Sequence, residues 1–169
     1  MTQEKYETTE REFWIEDEEL NIDLKGDLEF LEKEDFPTGE LRYEAYRKGE
    51  KLHGPSFFYS KSGQLLSQTW YYEGTKIGKV RRYYPTGQLY SLERYVDGVF
   101  HLAQEYFYLD GSLKTLIHFD KGVFDGETKL FWPDGIVKRL TVFSHGKKQV
   151  DEFYDEEGNL IGDFERSLS

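Results

Sequence analysis

One glycine returns along this chain at Gly39, Gly63, Gly87, Gly111, Gly135 and Gly158, at steps of 24, 24, 24, 24 and 23 residues. A second follows each of the first five, at Gly49, Gly74, Gly98, Gly122 and Gly146. A fixed period of this length marks tandem supersecondary units, each too small to bury a hydrophobic face alone. The residues around the glycines say what the unit is. Phe36-Pro37-Thr38-Gly39, Tyr84-Pro85-Thr86-Gly87 and Trp132-Pro133-Asp134-Gly135 place proline where φ must lie near −65° and glycine where it must be positive. Glu73-Gly74, Asp97-Gly98 and Lys121-Gly122 read as tight hairpin turns. Each repeat is then strand, turn, strand, turn, and successive repeats zip side by side into an antiparallel meander.

The intervening residues agree. Two places after each first glycine stands Leu41, Leu65, Leu89, Leu113, Val137 or Leu160, and three before each second stands Tyr46, Tyr71, Tyr95, Phe119 or Phe143. Period-two alternation puts Leu65-Ser67-Thr69-Tyr71 and Leu89-Ser91-Glu93-Tyr95 on a constant face. Leu66-Gln68-Trp70-Tyr72 and Tyr90-Leu92-Arg94-Val96 then fall on a variable one. Each returning strand ends in an aromatic doublet, such as Tyr83-Tyr84 or Phe131-Trp132, expected to stack in ladders with its neighbours. The first repeat is one residue short between its glycines. A third glycine, at Gly54, Gly78 and Gly126, gives way to Leu102 and Val150 in the other copies. The expected fold is all-β: one elongated, twisted antiparallel sheet with atypical caps at its ends. Residues 1–35 form an acidic segment with a capping hairpin around Gly26, residues 36–160 five to six repeats, and residues 161–169 a short tail. Trp14 and Ile15 are expected to pack on the first repeat, residues 1–10 to be disordered, and Leu160, Ile161 and Phe164 to give a last strand.

Composition narrows the function. With 13 Tyr, 13 Phe and 16 Gly the chain is rich in strand and turn residues, and it has no Cys. Disulfides, thiolate metal sites and a cysteine nucleophile are thereby excluded. The net charge of −11 is unevenly placed: residues 1–35 carry −10, residues 36–154 carry +3 and residues 155–169 carry −4. Acidic ends of this kind would repel nucleic acid and anionic lipid, so neither is an expected partner. His53 and His101 lie two repeats apart, roughly 19 Å at about 4.8 Å per strand, too far to share a metal whose ligand bonds are near 2 Å. Glu16-Asp17-Glu18-Glu19 lacks the frame of a calcium loop, and no serine sits in a nucleophile elbow. Neither a catalytic residue, a metal site nor a cofactor is expected.

The repeated pattern, from Gly87-Gln88-Leu89-Tyr90-Ser91 to Gly122-Val123-Phe124-Asp125-Gly126-Glu127, resembles the MORN (membrane occupation and recognition nexus) repeat over residues 36 to about 160. It resembles still more the variant form found in bacterial YwqK-type antitoxin proteins. The resemblance implies a non-enzymatic, bacterial, cytoplasmic scaffold whose partner is a toxin or effector, or, for other MORN proteins, a membrane-linked scaffold. From the residues, the expected contact surface is the variable face with its non-repeating aromatics and neighbouring bases: Trp70, Tyr72, Arg81, Arg82, Tyr90 and Arg94. Partner attraction would come from the acidic ends meeting a basic patch. A carbohydrate-binding module using the aromatic ladders is the alternative reading, and an open sheet edge would let two copies pair as a homodimer.

Overall fold

The computed structural model describes residues 30–163, which form a single open antiparallel sheet with its strands in chain order. β1 (Phe30–Asp35) precedes β2 (Leu41–Lys48), β3 (Lys51–Tyr59), β4 (Leu65–Tyr72), β5 (Thr75–Tyr83) and β6 (Leu89–Val96). One returning strand is broken into β7 (Val99–Phe100) and β8 (Leu102–Phe107). Then come β9 (Leu113–Asp120), β10 (Val123–Phe131), β11 (Val137–Ser144), β12 (Lys147–Tyr154) and β13 (Leu160–Asp163). No helix occurs among the described residues, which form the all-β meander expected. β13 is the strand expected at Leu160 and Ile161. Trp14, Ile15, the acidic run, the capping hairpin and Phe164 lie outside the described residues.

The two kinds of turn line opposite margins of the sheet. At the proline-type turns the glycine N–H donates back three residues, as from Gly87 to the Tyr84 carbonyl at 2.8 Å, and Gly87 has φ +98°. At the other margin Glu73-Gly74, Asp97-Gly98, Lys121-Gly122 and His145-Gly146 all have positive φ at both central places, which defines type I′ turns. Repeat one keeps its strand length: Lys48 pairs Lys51 around Gly49-Glu50, so the glycine has moved to the first central place with φ +59°. That is the position a type II′ turn gives to glycine.

Each repeat is also stitched to the next. The turn glycines Gly74, Gly98, Gly122 and Gly146 donate to the carbonyls of Leu52, Lys76, Phe100 and Phe124, at 2.7–3.0 Å. At the opposite margin the Tyr84 hydroxyl, the Tyr108 hydroxyl and the Trp132 indole N–H donate to the carbonyls of Phe107, Phe131 and Tyr154. Nearest-neighbour bonding of this kind is how a repeat array holds together without a second layer.

Bulges in both strands of the repeat decide what faces where. On the returning strand three residues oppose one, as with Gly78-Lys79-Val80 opposite Thr69. The third-glycine place falls in this bulge; Leu102 adopts φ +62° there, whereas repeat five skips only Gln149. Gln104 closes the bulge at Leu102: its side chain accepts from the Arg94 N–H at 2.7 Å and donates to the carbonyls of Arg94, His101 and Leu102.

The other bulge overturns the simple alternation. Phe58 pairs Ser67 while Tyr59 pairs Leu65, and Arg82 pairs Ser91 while Tyr83 pairs Leu89. Adjacent residues on one strand point to opposite faces, so their partners do too, and Leu65 and Leu89 lie on the opposite face from Ser67 and Ser91. Leu113 and Val137 repeat the switch against Thr115 and Arg139. The sheet therefore has a hydroxyl face, with Ser67, Ser91, Thr115 and Thr141, and a leucine face, with Leu89, Leu92, Leu116 and Leu140. The extra residue at each bulge, Tyr90, Lys114 or Lys138, joins the hydroxyl face. The Tyr90 ring accordingly meets that of Tyr106, the partner of Ser91, at 6.2 Å.

Candidate functional site

The hydroxyl face between β5 and β12 carries the densest chemistry of the described residues. Its floor is small and closed: Val80 and Ser91 are fully buried although the described residues form a single sheet. Bulges sharpen the local twist of the sheet here. Along the type I′ margin five rings make a continuous ladder, Tyr95–Phe100–Phe119–Phe124–Phe143, with successive centroids 4.7–5.3 Å apart. Lysines close it at both ends: Lys76 sits 5.2 Å from the Tyr95 ring, and Lys148 pairs opposite Phe143. The ladder is built from residues beside the type I′ turns, not from the strand-end doublets. Aligned on their turns, the doublets Phe58-Tyr59 and Phe153-Tyr154 sit one place ahead of the others.

Two carboxylates are buried in this face, each with a side chain 7% exposed. Glu93 is surrounded by hydroxyls: Tyr95 donates at 3.0 Å, Ser91 and Tyr106 at 3.5 Å, and Arg82 at 3.4 Å. Burial first and the Glu93 charge second push the Tyr106 phenol up to about 12, and Tyr95 moves the same way. Asp151 is held by a two-pronged Arg139 fork, both contacts at 2.8 Å, and by Lys148 at 2.8 Å. The guanidinium bonds, set against burial, hold its carboxyl well below the usual range.

The charge of the face follows. From β5 to β12 it carries Lys76, Arg82, Lys114, Lys138, Arg139 and Lys148, and its acids there are the two buried ones, which are already bonded. Lys114 lies over the Tyr108 ring at 5.5 Å and Lys138 over Trp132 at 4.3 Å. On the leucine face two cations meet acids: Arg94 lies 2.8 Å from Glu105 and Lys129 2.5 Å from Glu127. An open hollow there, about 250 Å³, is lined by Lys129, Val137, Leu140 and Tyr154.

The residues singled out from sequence are divided between the faces. Arg82 and Tyr90 lie on the hydroxyl face, and Tyr90 is 40% exposed. Arg81 and Arg94 lie on the leucine face with Trp70 and Tyr72. Trp70 is only 3% exposed, packed opposite Pro55 and Ile77, so its ring is an internal packing group rather than a contact surface. Glu93, Asp151, Lys114, Lys138, Phe100 and Phe124 were not singled out, since each reads as an ordinary strand residue until the bulges set its face. The histidines have a structural use: Nδ1 of His53 and of His101 accepts the N–H of Glu73 and Lys121, the residues that open the next repeat's type I′ turn. Asp125 does the same for His145. Among the described residues no group of three or more His, Asp or Glu is placed to hold a metal, and no helix is long and apolar enough to cross a membrane.

The MORN repeat variant matches residues 52–73 and 76–97, each match running from one hairpin turn to the next through a proline-type turn or its equivalent. Residues 52–97 are thus similar to the MORN repeat variant, and the same hairpin geometry continues beyond them to Asp163. No curated protein matches the chain.

Proposed function

We propose that this MORN-repeat sheet is a non-enzymatic scaffold that binds another protein on its hydroxyl face. The observation that carries the reading is a difference between the faces: the leucine face pairs Arg94 with Glu105 and Lys129 with Glu127, whereas the hydroxyl face sets Lys114 and Lys138 over part-exposed aromatic rings. Arginine, tyrosine and tryptophan are the residue types that dominate binding energy at protein interfaces. Occlusion of a toxin or effector, as the likeness to variant MORN antitoxins implies, needs only such a surface and no chemistry. Sugar stacking has less support, because Trp70 is buried and Lys138 lies over the Trp132 ring.

The test is affinity capture from the native cell with wild-type chain, with Lys114→Glu/Lys138→Glu, and with Lys79→Glu/Lys129→Glu on the leucine face. The hydroxyl-face pair is expected to lose a stoichiometric protein partner at least tenfold while the leucine-face pair keeps it. Retention of the partner by the first pair, or no partner in any arm, would overturn the reading.

A further inference from the structure

The cationic hydroxyl face has a complement within the chain itself. Residues 1–29 hold 11 acids against 3 bases, and Glu10 to Ile22 combine Glu10, Glu12 and the run Glu16-Asp17-Glu18-Glu19 with Phe13, Trp14 and Leu20. An acidic segment with interspersed aromatic residues is what a face of lysines, arginines and part-exposed rings would take. Reach permits it. Lys114 on β9 and Lys138 on β11 lie seven and nine strand spacings from β1 at about 4.8 Å each, and about five residues further along the strand than Phe30, so roughly 37 Å and 46 Å away. Counting back from Phe30, about 3.3 Å per extended residue brings Glu19 within roughly 36 Å, Glu16 within about 46 Å and Glu12 within about 59 Å.

We propose that the segment Glu10–Ile22 docks on the hydroxyl face of its own molecule, over the Lys114 and Lys138 margin, and so competes with any partner for that face. The inference rests on the reading of this face as a binding surface and adds the identity of a resident occupant. Tethering makes the contact intramolecular and raises the effective concentration of the segment, so weak charge pairing and a few ring contacts suffice. A partner must then displace the segment, and binding by the protein becomes dependent on ionic strength from two opposing sources. This reverses the role expected for the acidic end: it screens the chain's own cations before it attracts anyone else's.

The experiment is zero-length carbodiimide coupling of carboxylates to lysines in the full chain, with peptide mapping, on a mixture of nitrogen-14 and nitrogen-15 protein. Links from the Glu12–Glu19 carboxylates to Lys114 and Lys138, within single-isotope molecules and reduced at least threefold at high salt, are expected. Replacing the run with Gln and Asn should abolish those links and raise partner capture several-fold. Links confined to Lys33, links to Lys79 or Lys129, or salt-insensitive yields would overturn the proposal. Mixed-isotope links would overturn it in favour of a second copy. Partner capture that still depends on Lys114 and Lys138, with no such links, would remove this inference and leave the proposed function standing.

Discussion

The two buried carboxylates of the hydroxyl face solve one problem in different ways. Glu93, near the middle of the sheet, is held by tyrosine and serine hydroxyls with its arginine at 3.4 Å. Asp151, near the end, is gripped by a guanidinium fork and a lysine, all at 2.8 Å. A carboxylate taken out of water needs charge-assisted or multiple hydrogen bonds, and short bidentate ones are the strongest. The Glu93 arrangement spends its contacts on tyrosines and leaves Arg82 loosely engaged, whereas the Asp151 arrangement commits both cations. A region that keeps a cation loose can offer it to a partner; a region that commits both is a structural clamp.

The largest expected effect tests that difference directly. Arg139→Ala would leave Asp151 buried with Lys148 and Thr141 alone, and should cost about 3 kcal/mol, as breaking a buried pair does. Arg82→Ala removes one long contact from a carboxylate that keeps three hydroxyl donors, and Arg82 itself is 41% exposed; about 1 kcal/mol or less is expected. Urea denaturation of both variants measures the gap. Equal losses would mean that Glu93 depends on its arginine as Asp151 does.

How much of this was legible beforehand differs between fold and face. The glycine register, with proline ahead of it in several turns, was enough to predict strands, turns and meander, because φ preferences act locally and leave their mark in residue type. The assignment of faces was not. The bulge after each proline-type turn adds a residue that is Leu66, Tyr90, Lys114 or Lys138, apolar, aromatic or charged by turns, yet it moves Leu65, Leu89, Leu113 and Val137 across the sheet. Arg81 and Arg82 looked like one basic cluster because they are adjacent; pairing with Gln68 and Ser67 sends them to opposite faces. Glu93 and Asp151 could not be told from solvated strand acids, since the Arg82, Tyr106 and Arg139 groups that meet them come from neighbouring strands whose register the sequence does not spell out.

A smaller effect separates the two carboxylates by pH. The Asp151 carboxyl is lowered in the folded chain, so its contribution to stability is fully present above the ordinary aspartate value near 3.9. It is lost as pH falls from about 5 through that value toward the depressed one, because the unfolded chain then takes up the proton first. Asp151→Asn should flatten this acid limb by more than about 1.4 kcal/mol, the equivalent of one pKa unit. Denaturant midpoints between about pH 5 and pH 2 provide the check; an unchanged slope in the variant would show that the fork does not hold the charge.

The smallest effect belongs to the tyrosines around Glu93 and appears at the alkaline end. Tyr106 titrates near 12 in the folded chain against about 10 when unfolded, because burial and the Glu93 charge both oppose a phenolate there. The sign is opposite to that of Asp151. Here the folded state holds its proton longer, so the stabilisation is present below pH 10 or so and is lost as pH rises through about 12. Tyr106→Phe should remove part of that alkaline loss and delete one late-titrating phenol from the ultraviolet titration, leaving Tyr95 to account for another, since the same burial and the same Glu93 raise it. If every phenol titrates together near 10, Glu93 does not sit in the closed hydroxyl cluster that leaves Arg82 loosely held, and the contrast with the Asp151 clamp disappears.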